Sequence, residues 1–154
     1  MAAAPLRFLL ACLLAAAPPL LLLTGCAVPL TLGQEQQRAR LAALDYPADA
    51  PYGPDLDVVV RRDDRTLRLI NRTPRRYADL RLWLNRQYVR ELPAIEIGPG
   101  NRYDLRRWIN EHREPFPVAT LLAPDRAFPV VLAELHDPEL NVRHRLLAWP
   151  DPRK

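Results

Sequence analysis

Four potential metal ligands lie close together near the end of the chain: Glu134, His136, Asp137 and His144. Zn²⁺ would need three or four such imidazole and carboxylate groups within about 2.0 to 2.3 Å of the ion. The segment has the pattern of a β-hairpin, in which alternate side chains point to opposite faces. Glu134 and His136 then face outward, whereas His144 shares the inner face with Leu146. Because the two imidazoles cannot meet without a β-bulge, no metal site is predicted.

Nucleophilic and general acid–base catalysis have little support in the sequence. The chain contains no serine, and its few aliphatic hydroxyl side chains are threonines, so a Ser-His-Asp arrangement is excluded. Paired carboxylates for glycosidic cleavage would need a cleft, which a small domain rarely encloses. Glu134 is predicted to be an exposed cross-strand partner of Arg143 or Arg145, a contact that contributes on the order of 0.2 to 1 kcal/mol. The sequence therefore predicts no enzyme and no cofactor.

Cys26 is the residue with the clearest chemistry. It follows an apolar run, residues 6–23, that is preceded by one positive charge, Arg7, and interrupted by two prolines. This composition is typical of a secretory signal rather than of a membrane-spanning helix. The ending Leu23-Thr24-Gly25-Cys26 resembles the lipobox of bacterial lipoproteins. That resemblance implies cleavage before Cys26 and acylation of its thiol; the alternative is an ordinary signal cleaved elsewhere.

The location of the protein follows from the same resemblance. Ala27 lacks the aspartate that retains some lipoproteins in the inner membrane, so in a two-membrane bacterium the outer membrane, facing the periplasm, is favoured. Removing residues 1–25 lowers the formal net charge from +4 to +3. Basic and acidic residues alternate along the remaining chain, which argues against a nucleic-acid surface. Cys12 leaves with the signal, so no disulfide is expected.

Residues 26–54 have the composition of a lipid-anchored stalk. A run of helix-forming residues, 34–44, has one weakly apolar side and is too short to be a stable helix alone. Pro47, Pro51 and Pro54 follow at close intervals, and each favours an extended predecessor. The pattern predicts a short helix and a semi-rigid, Pro-rich spacer that holds the folded domain away from the bilayer.

Past residue 54 the hydrophobic period changes to two. The clearest strand is 79–85, in which Leu80, Leu82 and Leu84 alternate with polar residues and Trp83. Runs at 57–62 and 66–71 predict one hairpin, and runs at 128–135 and 142–149 predict another. In the run at 128–135, Val131 is predicted to face the core. Pro93 between two further short runs indicates an edge strand or a crossing between sheets. Residues 103–110 are predicted to form a strand that enters one helical turn.

About seven or eight short strands over residues 55–150, with turn signals between them, predict an all-β fold: a small immunoglobulin-like antiparallel β-sandwich. A compact barrel is the alternative, and residues 151–154 form a tail. The chain resembles small immunoglobulin-like modules of bacterial envelope proteins, including the FxLyD type, in the order of four features. These are residues 69–73, Tyr77, the alternating run 80–82 and residues 95–100. The resemblance covers about half of the domain and implies a fold but no site.

Arg68, Arg81 and Trp83 form the candidate partner surface, because an outward Trp flanked by Arg is typical of interface hot spots. The alternative is that Trp83 is covered by the helix at 34–44 or by the loop around Trp108. The favoured function is a membrane-anchored, non-catalytic binding or assembly module of the cell envelope that contacts a protein or glycan. The alternative function is an unrecognised envelope enzyme or metal-binding protein.

Overall fold

The computed structural model describes residues 30–121, 123 and 128–149. Cys26 with the rest of the lipobox, Ala27, the signal and the tail at 151–154 lie outside the described residues. Within the described residues the regular elements are one α-helix, seven strands and one 3₁₀ turn: α1 (Leu32–Ala42), β1 (Leu56–Asp63), β2 (Thr66–Asn71), β3 (Tyr77–Leu84), β4 (Tyr88–Ile95), β5 (Gly98–Asp104), the 3₁₀ turn (Leu105–Arg107), β6 (Ala133–Asp137) and β7 (Val142–Ala148).

The strands follow one another in the order β4-β3-β6-β7-β1-β2-β5. β7 belongs to both halves of this ladder, because its first part pairs with β6 and its last part with β1. All pairings are antiparallel except β1 with β7, which is parallel. The two halves enclose one hydrophobic core, so the predicted all-β sandwich is confirmed.

Alternating side chains of β3 supply the centre of that core. Leu82 and Leu84 are fully buried and Leu80 nearly so, in one cluster with Val60, Leu69 and other residues of the opposite half. The period-two pattern of 79–85 therefore identified the inner face correctly. Trp108 and Phe116 fill the same core from the segment after β5, and the Trp108 indole N–H donates to the Leu82 carbonyl at 3.1 Å.

Leu82→Ala is expected to lower the free energy of unfolding by about 2 to 5 kcal/mol, because the truncated side chain leaves a cavity in a fully enclosed site. Chemical denaturation of the mature chain would measure the loss. Leu140, which is 71 % exposed, is the matched control, and Leu140→Ala should change stability by less than about 0.5 kcal/mol. A loss below about 1 kcal/mol for Leu82→Ala would contradict this placement.

Local turn and edge chemistry also appears as the sequence predicts. Asp64, at the tip of the β1–β2 hairpin, has a φ of 49°, a conformation that Asp tolerates better than most residues. Pro93 lies within β4, which runs unbroken from Tyr88 to Ile95 instead of forming two short strands. β4 is an edge strand, where a missing N–H costs no ladder hydrogen bond. β5 ends at Asp104 and continues into the 3₁₀ turn, as predicted for 103–110.

The strand predicted at 128–135 is wrong in its first half. β6 begins at Ala133, and Val131 is 70 % exposed instead of facing the core. Asn85 explains the difference, because its side chain carbonyl accepts from the N–H groups of Val131 and Leu132. Two backbone donors are thereby engaged by a side chain rather than by a strand ladder.

Residues 30–54 are not a free spacer, contrary to the sequence-based prediction. α1 begins with a capping box in which Thr31 accepts from the Gln34 N–H and Gln34 accepts from the Thr31 N–H. Its Leu41 is buried against the outer face of the sheet, and Ala50 of the following segment is buried too. This N-terminal layer is therefore part of the folded domain. No helix within the described residues is long and apolar enough to cross a membrane.

Candidate functional site

Trp83 lies on the face of β3 opposite to Leu82, as the alternation predicts, but it is only 3 % exposed. Leu41 of α1, Val89 of β4 and Ile109 surround it in a second, smaller hydrophobic cluster. Tyr46 adds an edge-on contact, with ring centroids 5.5 Å apart. Trp83 was predicted to be either an open docking residue or a residue covered by the helix or by the loop around Trp108. The structure shows it covered, by Leu41 of the helix and by Ile109 of that loop.

A cavity of about 270 Å³ opens beside Trp83 at the C-terminal end of α1. Trp83, Leu41 and Ile109 give it apolar walls, while Arg86, His112 and several other polar residues line it as well. The Trp83 indole N–H is buried and has no hydrogen-bond partner among the described residues. A buried donor without an acceptor is unfavourable, so an acceptor on a bound molecule or a water would stabilise it.

The outer face also carries a buried polar cluster, here named the tyrosine cluster, formed by Tyr46, Tyr52, Glu134 and Arg143. Glu134 of β6 is fully buried and accepts hydrogen bonds from both tyrosine hydroxyls, the one from Tyr46 at 2.7 Å. Arg143 of β7 donates to both hydroxyls from the other side. Each hydroxyl thus connects the buried carboxylate to the guanidinium, and neither charge is left without hydrogen bonds.

Arg143 fixes the extended segment that follows α1. Its Nη2 donates to the Ala48 carbonyl at 2.8 Å and its Nε to the Ala50 carbonyl at 2.9 Å. The guanidinium carbon lies 4.2 Å from the centre of the Tyr52 ring, a cation–π contact. Side-chain contacts therefore attach the Pro-rich stretch to β7. No local sequence pattern predicts these contacts, because the residues are far apart in the chain.

The cluster makes the Tyr46 hydroxyl less acidic and does not resemble a catalytic dyad. Burial, followed by the hydrogen bond to Glu134, raises the pKa of Tyr46 to about 12, against the nearby positive charge of Arg143. A hydroxyl held in its neutral form at physiological pH donates steadily to the carboxylate but is a poor general base. The arrangement can hold a chain segment in place, and Glu134 is not the exposed, weakly paired residue that the sequence predicted.

The predicted partner surface of Arg68, Arg81 and Trp83 does not exist as one surface. Arg68 is on β2, which pairs with β1 and β5 and is separated from β3 by three other strands. Its guanidinium lies 3.4 Å from the Asp63 carboxylate. Arg81 does neighbour Trp83 in sequence, but it faces Glu91 across the β3–β4 ladder, at 3.9 Å. The hypothesis failed because it assumed that β2 and β3, consecutive in sequence, are neighbours in the sheet.

The candidate metal ligands are separated as strand parity predicts. His136 stands opposite Arg143 and His144 opposite Leu135 in the β6–β7 ladder, so the two imidazoles point to opposite faces. The pKa of His136 is lowered, mainly by burial. The Nε2 of His136 lies 3.2 Å from the Asn141 side chain. Within residues 30–121, 123 and 128–149, no three His, Cys, Asp or Glu side chains are grouped closely enough to hold a metal ion.

Comparison of the chain with protein-family models, with curated proteins and with solved structures found no match. The sequence-based resemblances to lipoproteins and to immunoglobulin-like envelope modules therefore remain predictions about this chain. The sandwich, the N-terminal layer over Trp83 and the tyrosine cluster are the features from which a function has to be argued.

Proposed function

We propose that the protein is a membrane-anchored lipoprotein of the bacterial cell envelope and acts as a non-catalytic binding or assembly module. In this proposal the chain is cleaved before Cys26, acylated there, and carried to the periplasmic face of the outer membrane. Its partner is an envelope protein or a glycan, and neither a cofactor nor a nucleic acid takes part.

The observation that carries the proposal is the short distance between Cys26 and the folded domain. Five residues, 27–31, separate Cys26 from the first residue of α1, and α1 is packed on the sheet. The six residue steps from Cys26 to Leu32 span at most about 22 Å when fully extended. An acylated Cys26 would therefore hold the domain against the membrane surface, rather than on a long stalk.

The cavity beside Trp83 is the part of the described surface best suited to contact the partner. It combines apolar walls with many polar groups and lies beside an indole donor that has no partner among the described residues. The polar groups of the tyrosine cluster, by contrast, are occupied in holding the N-terminal layer. This division supports binding rather than catalysis as the function.

Cys26→Ser is expected to abolish acylation and to release the protein from membranes or leave it uncleaved. Each acyl chain contributes roughly 0.8 kcal/mol per buried methylene group, and two or more chains anchor far better than one. Intact-mass spectrometry and membrane fractionation, after production of the full chain in a bacterial host, would check both effects. Cys12→Ser is the matched control and should leave mass and fractionation unchanged, since Cys12 precedes the cleavage site. An unmodified N-terminus at any other residue would overturn the proposal.

A further inference from the structure

A second groove, here named the arginine groove, runs along the outer edge of β4 between α1 and the 3₁₀ turn. Its volume is about 270 Å³, and Arg38 comes from the helix, Arg90 from the strand and Arg106 and Arg107 from the 3₁₀ turn. The residues come from three separate elements, so the fold and not a local sequence run brings the positive charges together. Like charges repel, so such a cluster is suited to an anionic partner.

Arg90 has no carboxylate within ion-pair distance among the described residues, although the charge of Asp104 acts on it at longer range. Its guanidinium carbon lies 4.9 Å from the ring centre of Tyr103 and 5.0 Å from that of Trp108, which hold it by cation–π contacts. Its Nη1 is buried and has no hydrogen-bond partner among the described residues. Burial and, after it, the charge of Arg107 lower the pKa of Arg90. An anion in the groove would offset both effects.

The acidic residues around the groove are already engaged. Glu91, the one acidic residue among those that line it, contacts Arg40 and faces Arg81. Asp104, next to the groove, pairs with Arg106 at 2.6 Å. Within the part of the chain that the structure describes, Arg38, Arg90 and Arg107 form no ion pair. Three guanidinium groups are thus available to a ligand.

Leu30 places this groove next to the anchor. Its side chain lines the groove, and only residues 27–29 separate it from Cys26. Four residue steps reach at most about 14 Å, so an acyl chain on Cys26 would hold the groove within reach of lipid headgroups. Leu32, which is 75 % exposed, lies at the same end of the helix. An exposed apolar residue beside basic ones is typical of a surface that rests on a bilayer.

We propose that the arginine groove docks on anionic phospholipids of the membrane that carries the acyl chains, with a headgroup phosphate bound by Arg38, Arg90 and Arg107. This inference rests on the anchoring proposed above and extends it. The acyl chains provide attachment, and the groove fixes the orientation of the domain. The cavity beside Trp83 lies farther along α1, at its C-terminal end, and is left accessible.

The test uses the mature chain, residues 26–154, with Cys26→Ser, so that no acyl chain contributes to binding. Co-sedimentation with phosphatidylcholine vesicles, with and without phosphatidylglycerol, measures the affinity. We expect binding only to the anionic vesicles. Arg90→Gln/Arg107→Gln should weaken it roughly 25-fold, about fivefold for each basic residue at the surface.

Arg72→Gln/Arg75→Gln removes the same charge from exposed positions in the β2–β3 turn and is the matched control. It should weaken binding far less than the groove variant does. Arg38→Gln/Arg107→Gln leaves the stacked Arg90 in place and so separates loss of the site from loss of folding. It should weaken vesicle binding about as much as Arg90→Gln/Arg107→Gln, the groove variant. Thermal unfolding of each variant verifies the fold.

Equal losses in groove and control variants would show attraction by net charge and overturn the proposal. So would competition by free inorganic phosphate at concentrations that raise the melting temperature, because the ligand would then be a soluble phosphate rather than a lipid. Since the chain tested carries no acyl group, these outcomes are independent of the mass measurement on Cys26. A failed anchor and a failed groove are therefore distinguishable.

Discussion

Replacing Glu134 by alanine is expected to lower the free energy of unfolding by about 3 to 5 kcal/mol, the range found when one partner of a buried charged network is removed. The Glu134 side chain is 1 % exposed, and both tyrosine hydroxyls donate to it. Without it, the two hydroxyls lose their acceptor, and the buried Arg143 loses the carboxylate to which they connect it. Urea denaturation of the mature chain would measure the loss.

Two further variants sharpen this prediction. Glu134→Gln keeps the size and one acceptor oxygen but removes the charge, so it should cost less than Glu134→Ala. Glu111→Ala makes the same truncation at a side chain that is 80 % exposed, and should change stability by less than about 0.5 kcal/mol. If Glu134→Ala and Glu111→Ala were indistinguishable, the tyrosine cluster would contribute nothing to holding residues 46–52.

Trp83→Ala is expected to cost about 3 to 5 kcal/mol, as for other large aromatic side chains truncated in a core. Leu41, Val89 and Ile109 would all lose their contact with the indole. Because Trp83 shares the outer hydrophobic cluster with Leu41 of α1, the helix should also become accessible to proteases before global unfolding. Limited proteolysis followed by mass spectrometry would detect cleavage within residues 32–42.

Trp149, which is 57 % exposed, offers the same substitution without the burial. Trp149→Ala should therefore cost far less than Trp83→Ala and leave the protease resistance of α1 intact. Equal and small effects of the two variants would mean that α1 does not cover Trp83 in solution. In that case Trp83 would be open to a partner.

The inner face of the sandwich could be predicted because inward-facing and outward-facing side chains alternate along each strand. Leu80, Leu82 and Leu84 follow the period of a strand, and the same period placed His136 and His144 on opposite faces. Turn residues marked the ends of the strands, as Asp64 does for the first hairpin. These signals depend on neighbours in sequence, which is why one sequence suffices to find them.

The outer face was not predictable, because a period of two says which side chains share a face and not what covers that face. Trp83 and Glu134 have the outward parity that usually means solvent, yet both are buried by a segment that precedes the sandwich. Only Leu41 of α1 is buried, so the helix gave a weak amphipathic signal. Tyr46 and Tyr52 lie beside prolines that suggest a spacer, and only the folded chain brings them to Glu134.

β7 also determines when folding of the domain can be completed. It pairs with β6, with β1 and, through Arg143, with the segment around Tyr52, so the last strand of the sandwich links its two halves and its N-terminal layer. Contacts between residues so far apart in sequence form slowly. A chain that emerges N-terminus first from an export channel would hold β1 and the layer over Trp83 without their partner until β7 arrives. Under the export proposed above, the domain would complete its folding only when β7 arrives.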